Sequence, residues 1–319
     1  MNVFDQKISE RFCAYNVDTV EWTAGMPANS IDFSVYSPPF SSLYIYSDSE
    51  RDMGNVGSDA EFQEFYRPLV RDLFRVTKPG RLTAIHVKDL VYYSTSSERG
   101  DRGLRDFTGD CIRTHIDEGW TYHRRITIQR CPVREMQKTK SDRLLYKNFR
   151  TDGARTGGGM PEYLVVFRKW AQGISETPPV LHSPSEYPLE TWQHYAQPAY
   201  FVNDLWDDAD ETNVLNVGAK TDEERHLCPM PLDLTERMIR QYTNPDEIVY
   251  SPFLGIGSEG VVSLRHGRRF IGTELKPAYF RQAVKNLTKA ELRGPTSDLF
   301  AAPPPNSRQI AGGSGWSAE

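Results

Sequence analysis

The feature that most restricts what this chain can fold into is a hexapeptide in its last third, Gly255-Ile256-Gly257-Ser258-Glu259-Gly260. It lies between an apolar run at 247–250, which reads as a strand, and a run at 260–265, which reads as a helix. Glu274 follows Gly255 by 19 residues, at the end of a second predicted strand over 270–273. Glycines at this spacing permit a tight strand-to-helix turn and let a ligand approach the backbone. An acid at the second strand end can accept both hydroxyls of a ribose, so an adenosine-containing ligand is implied. A plain glycine turn followed by an ordinary exposed glutamate would show the same letters. A full dinucleotide fold needs a second mononucleotide half after the first, yet only 45 residues follow Glu274. The remaining strands must therefore come earlier, with the cofactor half last.

The first half of the chain supplies them. Residues 30–36 (SIDFSVY) read as a strand that stops at Ser37-Pro38-Pro39-Phe40, because two prolines cannot continue a ladder. Phe62, Phe65, Tyr66, Leu69, Leu73 and Val76 recur at helical spacing over 59–76, and Lys78-Pro79-Gly80 is expected to close that helix. A strand is expected at 82–87, then a helix at 107–118 with Thr108 as N-cap and Gly119 past its end, then strands at 121–128 and 163–168. Helices follow at 232–242 and 277–287. This alternation predicts an α/β fold with a mostly parallel sheet and helices on both faces. The Ser37-Pro38-Pro39-Phe40 turn offers a hydroxyl, the Pro38 carbonyl and an aromatic face, all held stiffly by the proline rings. That set suits a flat base bearing an amino group; taken alone, it also fits a Pro-Pro strand stop with a core phenylalanine.

Length and composition bound the rest. At about 150 residues per domain, 319 residues make two domains, or one with an insertion. Hydrophobic residues at 38% and charged residues at 25% exclude a disordered or collagenous chain, and no apolar stretch is long enough to span a bilayer. A net charge of -5 argues against a uniformly basic coat but leaves room for a local basic face. Such a face is concentrated in 130–155, where Arg130, Arg134, Lys138, Lys140, Arg143, Lys147, Arg150 and Arg155 meet three acids, Glu135, Asp142 and Asp152. A proline-rich connection and an acidic patch at 204–211, read as a loop or surface insertion, follow it. Cys13, Cys111, Cys131 and Cys228 form no C-x-x-C pair, so no metal site and no disulfide framework is signalled. The expectations are a soluble, cytoplasmic protein with no membrane contact and a mobile tail from Gly294. Monomer and homodimer both stay open.

Together these motifs resemble the S-adenosylmethionine-dependent DNA amino-methyltransferases, the cytosine-N4/adenine-N6 family, in the permuted order that places the S/D/N-P-P-Y/F motif first. Ser251-Pro252-Phe253-Leu254-Gly255-Ile256-Gly257 resembles the family's D-P-F-x-G-x-G loop, with Ser251 where aspartate is usual and Ser258-Glu259 where two threonines are usual. Residues 226–240 resemble the helix-forming segment before that loop, and 272–287 its G-x-E-x-x-P strand and helix. The resemblance implies a Rossmann-like methyltransferase sheet with a small inserted DNA-recognition region. It divides the chain into a catalytic half (1–128), a basic target-recognition loop (129–161), a strand, linker and insertion (162–225), a cofactor half (226–290) and a tail (291–319).

It also implies roles: Ser37, Pro38, Pro39 and Phe40 at the reacting amino group, and Asp18, Ser251, Phe253, Gly255, Gly257, Ser258 and Glu274 at S-adenosylmethionine. Arg130, Arg134, Lys138, Lys140, Arg143 and Lys147 would contact double-stranded DNA, as in restriction-modification enzymes, with cytosine-N4 favoured by the serine of the motif. Residues 44–57 could close over a flipped base, and His86, Lys88 and Asp89 are possible pocket residues or a structural strand-end cluster. A nicotinamide-dependent oxidoreductase, a non-catalytic DNA-binding module on the same fold, and an RNA substrate remain as alternatives.

Overall fold

The computed structural model describes residues 3–40, 52–56, 58–95, 97, 99–139, 150, 160–171, 179–181, 203–210, 212–215 and 229–295. Among them are eleven strands: β1 (Asp5–Ile8), β2 (Phe12–Asn16), β3 (Ile31–Tyr36), β4 (Thr77–Val87), β5 (Leu90–Tyr92), β6 (Gly103–Arg105), β7 (Thr121–Ile128), β8 (Glu162–Arg168), β9 (Leu205–Trp206), β10 (Ile248–Ser251) and β11 (Arg269–Glu274). The helices are α1 (Thr19–Gly25), α2 (Asp59–Val76), α3 (Phe107–Asp117), α4 (Pro132–Thr139), α5 (Leu232–Tyr242), α6 (Ser258–Arg265) and α7 (Pro277–Arg293). Nine strands make one sheet in the order β1-β2-β11-β10-β3-β4-β8-β7-β9, and β5 pairs with β6 apart from it. The stretch from β2 to β4 is parallel throughout; β8 is antiparallel to both β4 and β7, and β1 to β2.

Side chains alternate across this sheet into two cores. Phe33, Val35, Ala84, Leu164 and Val166 pack on one face with Leu234, Met238, Val261, Phe280 and Leu287, from α5, α6 and α7. Ile85, Val87, Val165 and Phe167 pack on the other with Phe62, Tyr66, Leu69 and Leu73 of α2 and Phe107 and Cys111 of α3, and Met26 beyond the end of α1 joins them. Burying each of these large side chains contributes about 1.5–3 kcal/mol, and covering both faces is what lets β8 (EYLVVFR) run nearly all apolar in its centre.

The expected α/β architecture is present, with local corrections. Helix α2 has the expected bounds and is capped by Ser58, whose side chain accepts from the Glu61 N–H, but Lys78-Pro79-Gly80 does not end it. Those residues already belong to β4, at an irregularity where the β3 register jumps from Ile31 opposite Thr77 to Phe33 opposite Leu82. The N-cap of α3 is Asp106, whose carboxylate accepts from the Gly109 N–H, and not Thr108, which is buried inside the first turn. Residues 204–211 are not all loop: β9 within them adds to the sheet edge beside β7 and buries Trp206. The last helix runs on to Arg293, because Ala290 continues the buried stripe of Ala283 and Leu287. The segment 130–155 opens with α4; Lys140, Arg143, Lys147 and Arg155 lie outside the described residues, as do residues 44–51 of the expected closing loop and the tail from 296.

Candidate active site

Strands β3 and β10 are parallel neighbours, so the turns that leave them emerge at the same sheet edge. From this pair the chain departs in opposite directions: β3 leads through α2 to β4 on one side, and β10 leads through α6 to β11 on the other. A crevice opens where the connections diverge, which is where open α/β sheets bind ligands. The cavity found there encloses about 990 Å3, its open mouth included.

Its lining brings together most of the residues singled out from sequence. Ser37, Pro38, Pro39 and Phe40 line it from the end of β3, and Phe253, Gly255 and Ser258 from the β10–α6 loop. Asp18 and Glu274 line it as well, joined by Asp52, Met53 and Glu259. Ser251 and Gly257 do not: Ser251 is wholly buried at the end of β10, and Gly257 is the N-cap of α6.

The glycine loop is shaped by backbone demands. Gly255 and Gly257 take φ of 54° and 92°, a region that side chains disfavour. At Gly260 the reason is steric, since a Cβ would stand 2.4 Å from Leu287 Cδ2 and 2.7 Å from Phe270 Cδ1. Removing it lets α6 lie close on β11 and α7. The loop is tied down by Glu274, whose Oε2 accepts from the Gly255 N–H at 2.7 Å and whose Oε1 accepts from the Lys276 N–H at 2.9 Å. Burial pushes the Glu274 carboxyl up to about 7, against the pull of these two N–H donors. Burial also raises Glu259, to about 8, with Glu274 adding to the shift.

Asn16, which sequence reasoning missed, holds the end of β11 by donating from Nδ2 to the carbonyls of Glu274 and Leu275 at 2.7 and 2.9 Å. Its only sequence signal is its place at the end of the alternating strand FCAYN, just before Asp18. Asp18 caps α1, its Oδ1 accepting from Val20 N–H at 2.8 Å and Glu21 N–H at 3.2 Å.

The other turn is held by side chains. Phe40 is buried and packs edge-on against Phe107, with ring centroids 6.2 Å apart. Ser37 Oγ lies 3.2 Å from His86 Nδ1 on β4, and His86 Nε2 lies 2.8 Å from Glu162 Oε2 on β8. Glu162 has no distinguishing sequence signal beyond being an acid at the head of an apolar run.

The basic segment is placed only in part. Arg130 is a correction: its guanidinium is buried, 3.0 Å from Glu162 Oε2, rather than presented on a surface loop. Arg134 is exposed on α4, and Lys138 belongs to the same helix. No group of residues that could hold a metal ion occurs among the described residues, and no described helix is long and apolar enough to cross a membrane.

Comparison with known proteins accords with this geometry. A family profile described as DNA methylase, of the N6 and N4 type, matches residues 31–285, so the chain belongs to the DNA methylase family. Among curated relatives, Type II methyltransferase M1.MboII of Moraxella bovis is 34% identical over 89 residues, a stretch that covers 28% of this chain and 34% of the relative. The match thus spans about a third of that relative's length. Among solved structures, a Thermus thermophilus protein designated a DNA modification methylase, in complex with S-adenosyl-L-methionine, superposes with a TM-score of 0.61 and 22% identity over 89% of this chain and 96% of the other. PvuII DNA methyltransferase, cytosine-N4-specific, superposes with a TM-score of 0.59 and 17% identity over 92% and 96%. The shared fold is that of these S-adenosylmethionine-dependent methyltransferases.

Proposed function

We propose that this chain is a DNA amino-methyltransferase that uses S-adenosylmethionine and modifies N4 of cytosine. The observation that carries the reading is the convergence of the Ser37–Phe40 turn and the Gly255–Gly260 loop on one cavity. S-adenosylmethionine supplies, when bound, an electrophilic methyl group on a sulfonium. The donor set fits such a ligand. Ser258 Oγ is buried on the cavity lining with no hydrogen-bond partner among the described residues, a state that a polar ligand group relieves. Asp18, Glu259 and Glu274 line the same space, giving acceptors for ribose hydroxyls. Phe253 and the backbone of Gly255 complete the assigned cofactor contacts, with Ser251 and Gly257 shaping the loop from behind.

The amino nitrogen of cytosine is a poor nucleophile because its lone pair is delocalised into the ring. Acceptors at its two hydrogens, the Ser37 hydroxyl and the Pro38 carbonyl, favour a pyramidal nitrogen with its lone pair directed outward; Pro39 stiffens the turn and Phe40 offers a face to the base. The chain's contribution is orientation. The base reaches this depth by leaving the duplex, at a cost of a few kcal/mol offset by stacking and the amino-group contacts. Arg134, Lys138, Lys140, Arg143 and Lys147, within the 129–161 region, are the assigned phosphate and base contacts; Arg130 acts instead inside the strand-end cluster. The serine at the head of the motif favours cytosine.

Digestion of plasmid DNA from expressing cells, followed by nucleoside mass spectrometry, tests the reading. N4-methylcytosine is expected. N6-methyladenine would overturn the choice of base alone, and no methylated nucleoside, together with calorimetric NAD binding, would overturn the reaction class.

A further inference from the structure

Ser37 is the head of a chain of contacts that runs away from the cavity. Its Oγ lies 3.2 Å from His86 Nδ1, and His86 Nε2 lies 2.8 Å from Glu162 Oε2. These residues sit on adjacent antiparallel strands, β4 and β8, with both His86 and Glu162 buried. Around Glu162 stand Arg130, 3.0 Å from Oε2, and Lys88, 3.9 Å from Oε1; Lys88 also reaches Glu135 Oε2 at 3.3 Å. Burial alone would push the Glu162 carboxyl up, but His86, Arg130 and Lys88 outweigh it and hold the group at about 2. Glu162 is therefore a carboxylate and can only accept.

The roles along the chain follow from that one constraint. Whenever the His86 ring carries a single proton, the proton sits on Nε2, facing the carboxylate. Nδ1 is then a bare lone pair that only a donor can meet, and the group placed beside it is the Ser37 hydroxyl. Ser37 donates its one proton inward to Nδ1, and what its oxygen presents to the cavity is lone pairs. Without His86 the same hydroxyl could rotate and present either character.

We propose that His86 and Glu162 are positioning residues that fix the Ser37 hydroxyl as an acceptor toward the cavity, so that the site takes a base edge bearing an amino group and rejects one bearing a carbonyl at the same place. The inference rests on the reading of Ser37 as the amino-group contact. It adds a selectivity: cytosine is admitted, while thymine and uracil, which carry a carbonyl at that ring position, meet oxygen against oxygen.

The test has two arms. In the full chain with 15N-labelled histidine and no added ligand, long-range proton–nitrogen NMR of the singly protonated ring should show His86 protonated on Nε2 and bare on Nδ1. Ser37→Ala should move the Nδ1 signal and leave Nε2 in place. A ring protonated on Nδ1 overturns the proposal whatever the enzyme does. The second arm compares His86→Phe, which offers Ser37 no acceptor, with His86→Asn, whose side-chain oxygen can take the place of Nδ1. On plasmid DNA, His86→Phe should lower kcat by about 10²-fold with KM for DNA and cofactor affinity unchanged, and His86→Asn should recover most of the loss. Should His86→Phe not fold, as judged by thermal unfolding, His86→Asn and Ser37→Ala carry the comparison. An Asn variant as slow as Ser37→Ala at unchanged cofactor affinity overturns the orienting role. Absence of methylation by the wild-type chain would instead count against the proposed function, with the NMR arm still deciding the hydroxyl's orientation.

Discussion

Two turns leave neighbouring parallel strands and meet in one cavity, yet they are made rigid by opposite means. The turn after β3 is stiffened by Pro38 and Pro39 and tied through a side chain, Ser37 to His86. The loop after β10 is set by glycine backbone, with φ of 54° and 92° at Gly255 and Gly257, and tied through a main-chain N–H, Gly255 to Glu274. The first arrangement leaves side chains to do chemistry. The second clears side chains away so that a ligand can lie against backbone. If that division holds, damage to the first turn should appear in rate and damage to the second in binding or folding.

Ser37→Ala gives the largest separation. Methyl transfer should fall by about 10²–10³-fold, the loss expected when one oriented polar contact at a reacting group is removed, while calorimetric cofactor affinity stays at the wild-type value. Comparable losses in both would break the comparison. Gly260→Val is its counterpart. The new Cβ meets Leu287 and Phe270 well inside contact distance, and overpacking of this kind costs about 1–3 kcal/mol. Thermal unfolding should drop, and cofactor binding should fall with it. A variant with normal stability and a selective rate defect would place chemistry on the loop instead.

The same contrast decides what can be read from the sequence. The glycine loop is legible because its spacing answers a local backbone demand, and the proline turn because two prolines stop a strand wherever they occur. Helices α2 and α5 are legible to the residue, since their apolar periodicity needs no partner to be recognised. Thr108 reads as a cap because it and Asp106 are both good capping residues two positions apart, and only the geometry chooses Asp106. Strand β9 escapes because two residues in an acidic stretch carry no period; they become strand by joining β7. The His86–Glu162 contact joins residues 76 apart, and Arg130 is drawn into it. Counting charges along 130–155 gives no sign that one of its arginines is buried. Sequence thus exposes what each loop is made of, and the sheet supplies what each is tied to.

Glu274 sharpens the comparison from the binding side. Its carboxyl is raised from 4.5 to about 7, so the folded protein holds that proton to higher pH than the unfolded chain does. The stabilisation from this group is complete below the ordinary carboxyl value and is lost as pH rises to about 7; Glu259 extends the loss to about 8. The ligand-free protein should therefore show a falling contribution to thermal stability across this window. A ligand whose hydroxyls donate to Glu274 favours the ionised form, so cofactor binding near pH 7 should release a proton, visible as a buffer-dependent binding enthalpy. Glu274→Gln should abolish most of that dependence and weaken binding roughly 10-fold, about one charge-assisted hydrogen bond. A buffer-independent enthalpy in the wild-type protein would remove Glu274 from the ligand.

Asp18 carries the smallest effect and separates the two jobs a single carboxylate can hold. Its Oδ1 caps α1 through the Val20 and Glu21 N–H groups, and the side chain also lines the cavity. Asp18→Ala removes the cap and should cost about 1 kcal/mol of stability, read by chemical denaturation, along with some cofactor affinity. Asp18→Asn retains an oxygen for the cap. Its amide nitrogen, however, stands where the carboxylate offered a second lone pair to a ribose hydroxyl of the proposed cofactor. Stability should return to the wild-type value while affinity stays a few-fold reduced. If Asn restores both, Asp18 serves only the helix, and the ribose hydroxyls of the proposed cofactor must be met by Glu259 and Glu274.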